Sequence, residues 1–444
     1  MLTVSCIDRK RNTRNIITHY CIQDKMGNTK TVTAYALKQA IINKQVICTN
    51  LELTADNRLI LKDEIDDNEQ KRKKDVVKKA ILKLRALHGG QTEIVYNNAI
   101  YNITDNKIIL KRCLLQEGVF VIPEFVTDTP GVNVQFPIFY DAISLKVINK
   151  SQIKDMTNMF AYSAKLIKLD LSEFNTDEVT NMQSMFQNCF NLENLDLSSF
   201  NTSKVKNMTN MFDGCEGLQE LNLSSFDTSR VTSMKAMFMN CKKMKNIEIS
   251  KFNTSNVVEM DSMFENCNGI KHLDLSNFNT ANVKTMKNMF AECSNLVNLD
   301  LSSFCTFRVN NMAEMFFNCK KLKELDLHNF NTSNVVEMQY MFGSCRRLIR
   351  LNVDSFDTRE VISMYGMFES CVSIERLNLK SFKAKSRTTA YNLFAYCTKL
   401  KYIDLRNFVT AEKGIDTYQM FEGTQYEGLE IDKYAHGIIL PLKQ

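Results

Sequence analysis

The chain has 444 residues, of which 44% are hydrophobic and 24% charged, the balance of a soluble protein. It has no run of the ~20 apolar residues that cross a bilayer as a helix, and its N-terminus lacks the apolar core of a signal peptide. The net charge of +6 comes from residues 1–150, which hold 23 Lys and Arg against 16 Asp and Glu. We therefore expect a cytoplasmic protein without a membrane segment.

Residues 1–62 are predicted to form a small α+β module. A helix is predicted first, at residues 35–43, and three short strands follow it, at residues 45–49, 51–54 and 58–61. The string Thr49-Asn-Leu-Glu-Leu-Thr-Ala-Asp-Asn-Arg-Leu-Ile60 resembles an uncharacterised module of Firmicute and phage proteins. That resemblance implies no particular function.

Residues 63–115 are predicted to contain a basic helix and connecting strands. The helix begins with acidic residues between Asp63 and Glu69, which favour the positive end of the helix dipole, and it ends near Leu87. Its basic side chains form one group, Lys71, Arg72, Lys73, Lys74, Lys78, Lys79, Lys83 and Arg85. Two interpretations are open: a solvated helix face, or a contact with nucleic acid or an anionic membrane.

Residues 116–150 are predicted to cap the start of a repeat array. Residues 118–123 and 136–140 are apolar and have the composition of strands. An array of stacked units needs its open end covered, which is the role we expect for these segments. At the other end of the chain, residues 433–444 are predicted to form a short tail.

Residues 151–432 contain eleven repeats of 26 residues. The pair Met-Phe or its equivalent begins at residues 159, 185, 211, 237, 263, 289, 315, 341, 367 and 393, and one residue late at 420. Stacked units explain so strict a period, because an insertion in one unit would disturb its contacts with the next.

One repeat, residues 195–220, shows how each unit is built. Leu195 and Leu197 alternate with polar residues, as in a strand with one buried face. After a turn, residues 205–215 place Val, Met, Met, Phe and Cys on one stripe of a short helix. Because the same crossover connects each repeat strand to the next one, consecutive strands must be parallel. The predicted fold class is an α/β solenoid, with a leucine-rich-repeat-like parallel sheet, short helices on the opposite face and a small α+β domain ahead of it.

The repeat also carries a family resemblance. The unit Leu-x-x-Leu-Asp-Leu-Ser-x-Phe-Asn-Thr-Ser-x-Val-x-x-Met-x-x-Met-Phe-x-x-Cys resembles the repeat of BspA-like leucine-rich-repeat proteins, also known as a domain of unknown function in mycoplasma lipoproteins. The resemblance covers residues 151–432. It implies a bacterial or phage origin, a solenoid and a role in binding or adhesion.

Nine cysteines form a ladder at one position of successive repeats: Cys189, Cys215, Cys241, Cys267, Cys293, Cys319, Cys345, Cys371 and Cys397. Parallel side chains along one edge disfavour both disulfides and the convergent ligands of a metal site. We expect these thiols to be buried, reduced and free of metal, and we expect no cofactor.

The strand centres form an acidic sheet ladder that points outward: Asp170, Asp196, Glu248, Asp274, Asp300, Asp326 and Asp404. Stacked like charges repel unless cations or basic groups compensate them. A site for a cation or a basic partner and a solvated repeat feature both fit this pattern. Because the ladder recurs in most units, it is a poor determinant of specificity.

The units differ two residues before this ladder, where the sequence becomes basic and aromatic toward the C-terminus. The candidate partner-binding residues there and beside it are Arg350, Arg376, Lys380, Tyr402 and Arg406. Arg and Tyr are enriched in the hot spots of interfaces, although ordinary surface variation also produces such groups.

The sequence contains no nucleophile motif, phosphate loop or metal-ligand spacing. We predict a non-enzymatic, monomeric scaffold that presents its sheet face to a protein partner. Two alternatives are a surface adhesin exported by an unrecognised route and a nucleic-acid binder that uses the basic helix, for which a steep salt dependence of DNA retention is expected.

Overall fold

The computed structural model describes residues 2–11, 17–24, 29–33, 37, 46–48, 51–53, 59–61, 93–96, 98–103, 108–122, 132–134, 139–149, 153–384, 388–408, 415–427 and 438–440. The chain divides into two compact units, Met1–Leu87 with Thr129–Gly131, and His88–Asp128 with Val132–Gln444. Within the described ranges, no helix has the length and apolar character to cross a membrane.

The first unit contains two small sheets. Its strands are β1 (Leu2–Arg11), β2 (Ile17–Asp24), β3 (Thr29–Thr33), β4 (Val46–Cys48), β5 (Leu51–Leu53) and β6 (Leu59–Leu61). One sheet has the order β3-β2-β1-β4, in which β4 alone is parallel to its neighbour, and β5 pairs with β6 in antiparallel register. Strands β4, β5 and β6 confirm the three strands predicted between residues 45 and 61.

Strands β1, β2 and β3 were missed by the sequence analysis. Leu2, Val4 and Cys6 alternate with polar residues in β1, so a strand signal is present there. The helix predicted at residues 35–43 is described only at Leu37, which lies in a helix and is buried. The basic helix predicted between residues 63 and 87 lies outside the described residues.

The second unit begins with strands that lead into the solenoid. They are β7 (Glu93–Tyr96), β8 (Ala99–Ile103), β9 (Ile108–Cys113), β10 (Glu117–Ile122), β11 (Val132–Val134) and β12 (Ser144–Asn149). Strands β7, β8, β9 and β11 form one sheet, whereas β10 and β12 pair in parallel and continue into the first repeat strand. Residues 118–122 of the predicted cap segment therefore lie in a strand that extends the sheet. Of segment 136–140, Phe139 and Tyr140 are described and neither lies in a strand, contrary to the prediction. The buried Phe139 ring stacks on Phe160 at 4.9 Å.

The repeats form a parallel β-solenoid. Their strands are β13 (Lys168–Asp170), β14 (Asn194–Leu195), β15 (Glu220–Asn222), β16 (Asn246–Glu248), β17 (Glu324–Asp326), β18 (Arg350–Asn352), β19 (Arg376–Asn378) and β20 (Tyr402–Leu405). All pairs between consecutive repeats are parallel and offset by 26 residues, as predicted. Residues 272–274 and 298–300 are not in strands, and the strand ladder is also interrupted between β14 and β15 and between β18 and β19. β21 (Ile438–Leu440) pairs antiparallel with β20.

The prediction of short helices opposite the sheet was wrong. In residues 153–384 and 388–408, the Met-x-x-Met-Phe segments form consecutive turns and no helix. Ser184 and Asn188 have φ angles of 54° and 60°, a left-handed conformation that an α-helix cannot contain. The same positions carry positive φ in the following repeats.

The backbone hydrogen bonds explain this difference. The amide of Met185 donates to the Met182 carbonyl within its own turn, at 3.2 Å, whereas the amide of Phe186 donates to Met211 in the next repeat, at 2.9 Å. Alternate amides therefore join neighbouring repeats, and a helix would have kept all of them within its own segment. An unbroken series of parallel bridges from Asp155 to Asp416 adds to these contacts.

The core consists of stacked identical side chains. Phe186 lies on Phe212 with ring centroids 5.6 Å apart, and the stack continues along the solenoid from Phe160 to Phe421. A second phenylalanine stack follows the ends of the sheet strands, where Phe304 and its neighbours are 6.5 Å apart. Offset rings at these distances are favourable, so each repeat stabilises the next one.

Candidate interaction surface on the sheet face

The C-terminal part of the sheet face forms a groove, which we call the C-terminal groove. It has a volume of about 1210 Å³ and is lined by residues from Asn298 to Arg406. All five candidate partner-binding residues line it: Arg350, Arg376, Lys380, Tyr402 and Arg406. The 26-residue register brings them together, because each repeat contributes the same strand position to the face.

Arg350 is held over the preceding repeat by an ion pair. Its guanidinium contacts the carboxylate of Glu324, and the two side chains are 71% and 55% exposed. Exposed ion pairs contribute only ~0–1 kcal/mol, so a partner could replace this contact at little cost. Sequence reasoning did not single out Glu324, although it precedes Arg350 by one repeat length.

Arg376 and Tyr402 form a second contact between repeats. The Arg376 guanidinium lies over the Tyr402 ring, 4.9 Å from its centroid. Such a cation–π contact stabilises by ~0.5–1 kcal/mol at an exposed site and restricts both side chains. The groove therefore presents a pre-ordered aromatic and cationic pair.

Arg406 is fixed on the last described repeat strand. Its Nε donates to both carboxylate oxygens of Asp404, at 2.9 and 3.0 Å, and the Asp404 side chain is 4% exposed. The hydrogen bonds from Arg406 hold the pKa of Asp404 below its ordinary value, although burial of the carboxylate acts in the opposite direction. Lys380 lies nearby and makes no ion pair with another described residue.

The acidic sheet ladder has a local structural role. Asp170 accepts a hydrogen bond from the amide of Ser172 at 2.9 Å, and Asp274 accepts one from Ser276 at 3.0 Å. These amide donors lower the pKa of both carboxyl groups. An Asp side chain bonded to the backbone two residues later is an Asx turn, which ends the strand. Asn222 makes the same bond to Ser224, which explains why Asn replaces Asp in some repeats.

The ladder carboxylates do not converge on one site. Asp170 and Asp196 line a hollow near the first repeat, and Glu248 and Asp274 line another in the middle. Asp300, Asp326 and Asp404 line the C-terminal groove. The prediction that the ladder points outward was wrong for Asp404, which is buried on the strand that pairs with β21. In the described part of the chain, no group of three His, Cys, Asp or Glu side chains is placed to hold a metal ion.

The nine ladder cysteines are buried, as predicted, and are present as free thiols. The Cys267 thiol donates to the carbonyl of Phe238 at 3.0 Å, and the other ladder thiols make the equivalent bond. Burial raises the pKa of Cys189, Cys293, Cys345 and Cys397 from 9.0 to about 12. These thiols therefore belong to the core and offer no nucleophile near neutral pH.

Comparison with known proteins identifies the repeat region. A crystal structure of a leucine-rich repeat protein from Eubacterium ventriosum is 13% identical, and the similarity covers 78% of this chain and 100% of that chain with a TM-score of 0.27. A score this low does not establish a shared fold. No curated protein matches the chain. The profile of the family described as "Mycoplasma protein of unknown function, DUF285" matches residues 138–222, 214–325 and 310–434. Because these matches span more than half of the 444 residues, the chain belongs to the DUF285 family.

Proposed function

We propose that the protein is a non-enzymatic scaffold that binds a protein partner in the C-terminal groove. The observation that supports this function most directly is the convergence of Arg350, Arg376, Tyr402 and Arg406 in one concave surface. Arg and Tyr combine apolar area with polar tips, and they are the residue types that carry most of the binding energy in interfaces.

The charge pattern of the groove defines the partner surface that fits it. The charged side chains at the N-terminal end are mainly acidic, among them Asp300 and Asp326. At the C-terminal end the four cations Arg350, Arg376, Lys380 and Arg406 exceed the three acids Asp354, Glu375 and Asp404 by one charge. A partner with the opposite arrangement of charges would be oriented along the solenoid axis. The uniform ladder cannot fix this register, whereas the local cluster can.

The test is a triple variant, Arg350→Ala, Arg376→Ala and Tyr402→Ala. A partner captured by the full-length chain is purified, and its affinity is measured by titration calorimetry. We expect the variant to weaken binding by more than ~2 kcal/mol, about 30-fold, because truncated hot-spot residues lose their packing. Thermal stability should change little, since these are groove side chains outside the stacked core.

The matched control changes the same strand position in the first repeats: Lys168→Ala, Asn194→Ala and Glu220→Ala. These side chains are exposed on the same face of the solenoid but lie in other repeats. The control therefore shows whether any three truncations on this face weaken binding. Normal binding by the groove variant would refute the proposal. If charge reversal at Lys73 and Lys74 abolished binding instead, the partner site would lie in the first unit.

A further inference from the structure

We propose that one edge of the solenoid binds the phosphate backbone of a nucleic acid duplex without sequence specificity. We call this surface the basic edge. It consists of the first, second and fourth residues after the ladder cysteine in each of five consecutive repeats, from the one that follows Cys241 to the one that follows Cys345. Ile349 belongs to this edge and also lines the C-terminal groove, but none of the lysines and arginines of the edge lines that groove. The proposal does not depend on the proposed protein-binding function.

The basic edge begins with a lysine-lined hollow. Lys242, Lys243, Lys245 and Lys271 surround it, with the amide side chains of Asn268 and Asn295 between them, and its volume is about 570 Å³. Lys242 pairs with Glu216 at 2.7 Å, and the ammonium group of Lys245 donates to the Gln219 side chain at 2.8 Å. Among the described residues, neither Lys243 nor Lys271 has an acidic partner. The side-chain amides of Asn268 and Asn295 each donate one hydrogen bond within the protein, so the lysines are the main groups that the hollow presents to a ligand.

A second cationic group follows in the repeats that begin after Cys319 and Cys345. Its members are exposed and form no ion pair within residues 153–384: Lys320, Lys321, Lys323, Arg346 and Arg347. In the repeats from Cys241 to Arg350, the three edge positions contain no Asp or Glu. Exposed like charges without compensating acids repel one another, and a polyanion relieves that repulsion.

The geometry favours a linear polymer over a membrane. The five repeats extend about 20 Å at the ~4.8 Å spacing of parallel strands, and the cations lie along one narrow edge. Their neighbours are Asn and Ser, which contact phosphate oxygens in protein–DNA interfaces. Between Lys242 and Arg347, no edge position holds an aromatic side chain on which an unpaired base could stack. A duplex held through its phosphates fits these features better than a single strand.

The test measures binding of the full-length protein to a fluorescent 20-base-pair duplex at several salt concentrations. For Lys243→Gln with Lys321→Gln, we expect binding to weaken ~10-fold or more at 0.1 M salt. The negative slope of log affinity against log salt should become shallower by about 2, because each lost phosphate contact removes about one unit from its magnitude. Arginine at both positions should restore the affinity and the slope.

The matched control is Lys235→Gln with Lys287→Gln, which removes the same charge from exposed lysines on the turn face. We expect its affinity and slope to remain near those of the wild type. An equal loss in both double variants would overturn the proposal, because binding would then follow the net charge alone. Absence of duplex binding, tighter binding of a single strand, or retention only on an acidic polysaccharide or anionic vesicles would overturn it as well. So would complete loss on changing only Lys73 and Lys74.

Discussion

At the scale of single residues, buried threonines connect neighbouring repeats through hydrogen bonds to the backbone. The Thr254 hydroxyl donates to the Asn279 carbonyl at 3.0 Å and accepts from the Asn279 amide at 2.8 Å, and Thr254 is fully buried. The hydroxyl thus satisfies both backbone groups of a residue in the next repeat. Thr280, Thr306 and Thr332 make the same pair of bonds.

Replacement of Thr254 by Val tests this role. Val keeps the volume but leaves the amide and carbonyl of Asn279 without their partner, and we expect the free energy of unfolding to fall by at least ~2 kcal/mol. Thr254→Ser keeps the hydroxyl and removes one buried methyl group, at a cost of ~1 kcal/mol. Chemical denaturation distinguishes the two. A Val variant as stable as the Ser variant would show that the hydroxyl contributes little.

The ladder thiols predict a loss of stability at alkaline pH. Their pKa values are raised by burial, to about 12 for Cys189 and Cys293, so the folded protein binds these protons more tightly than the unfolded chain does. The stabilising effect is complete below the ordinary pKa of 9.0 and is lost as the pH rises from there toward 12. Each such thiol lowers the free energy of unfolding by up to ~1.4 kcal/mol per pH unit in this range.

Denaturation at pH 8, 9 and 10 measures this effect. The pKa of Cys267 is also raised well above its ordinary value by burial. The Cys267→Ala variant lacks one buried thiol. Above pH 9, its free energy of unfolding should therefore decline less steeply with pH than that of the wild type. Cys305→Ala changes an exposed thiol and serves as the control. Identical slopes for the Cys267→Ala variant and the wild type would contradict the buried, protonated state.

At the scale of secondary structure, the turn segments account for the wrong helix prediction. Met182, Met185, Phe186 and Cys189 are all buried at the spacing of a helix stripe. Consecutive turns produce the same spacing, since each turn also returns the chain to the core after three or four residues. The residues between these buried positions distinguish consecutive turns from a helix. Many of them are Asn, Ser or Gly, and these residues have positive φ.

A serine-to-glycine change distinguishes a turn from a helix at these positions. Ser262 has a φ of 56°, which costs an L-residue ~1 kcal/mol or more, so Ser262→Gly should raise stability by up to ~1 kcal/mol. In a helix the same change would lower stability. Ser373 lacks positive φ, and Ser373→Gly should cost ~0.5–1 kcal/mol. A loss of stability in both variants, measured by denaturation, would support a helix at Ser262.

At the scale of the whole molecule, the repeat period predicts which residues meet. The 26-residue register was sufficient to predict the parallel solenoid and the shared location of Arg350, Arg376 and Tyr402. It was not sufficient to predict the contacts of those side chains. The pairing of Arg406 with Asp404 within one strand end depends on rotamers. The repeat period is the same in every unit and therefore does not mark residues 272–274, which are not in a strand.

Side-chain footprinting tests most directly whether a protein partner occupies the C-terminal groove. Hydroxyl-radical labelling of the complex should slow at Tyr402, which lines the groove. It should stay unchanged at Tyr162 and Tyr418, which are 51% and 65% exposed on turn segments away from that groove. Unchanged labelling of Tyr402, together with protection of Tyr162 or Tyr418, would place the partner elsewhere and contradict the claim.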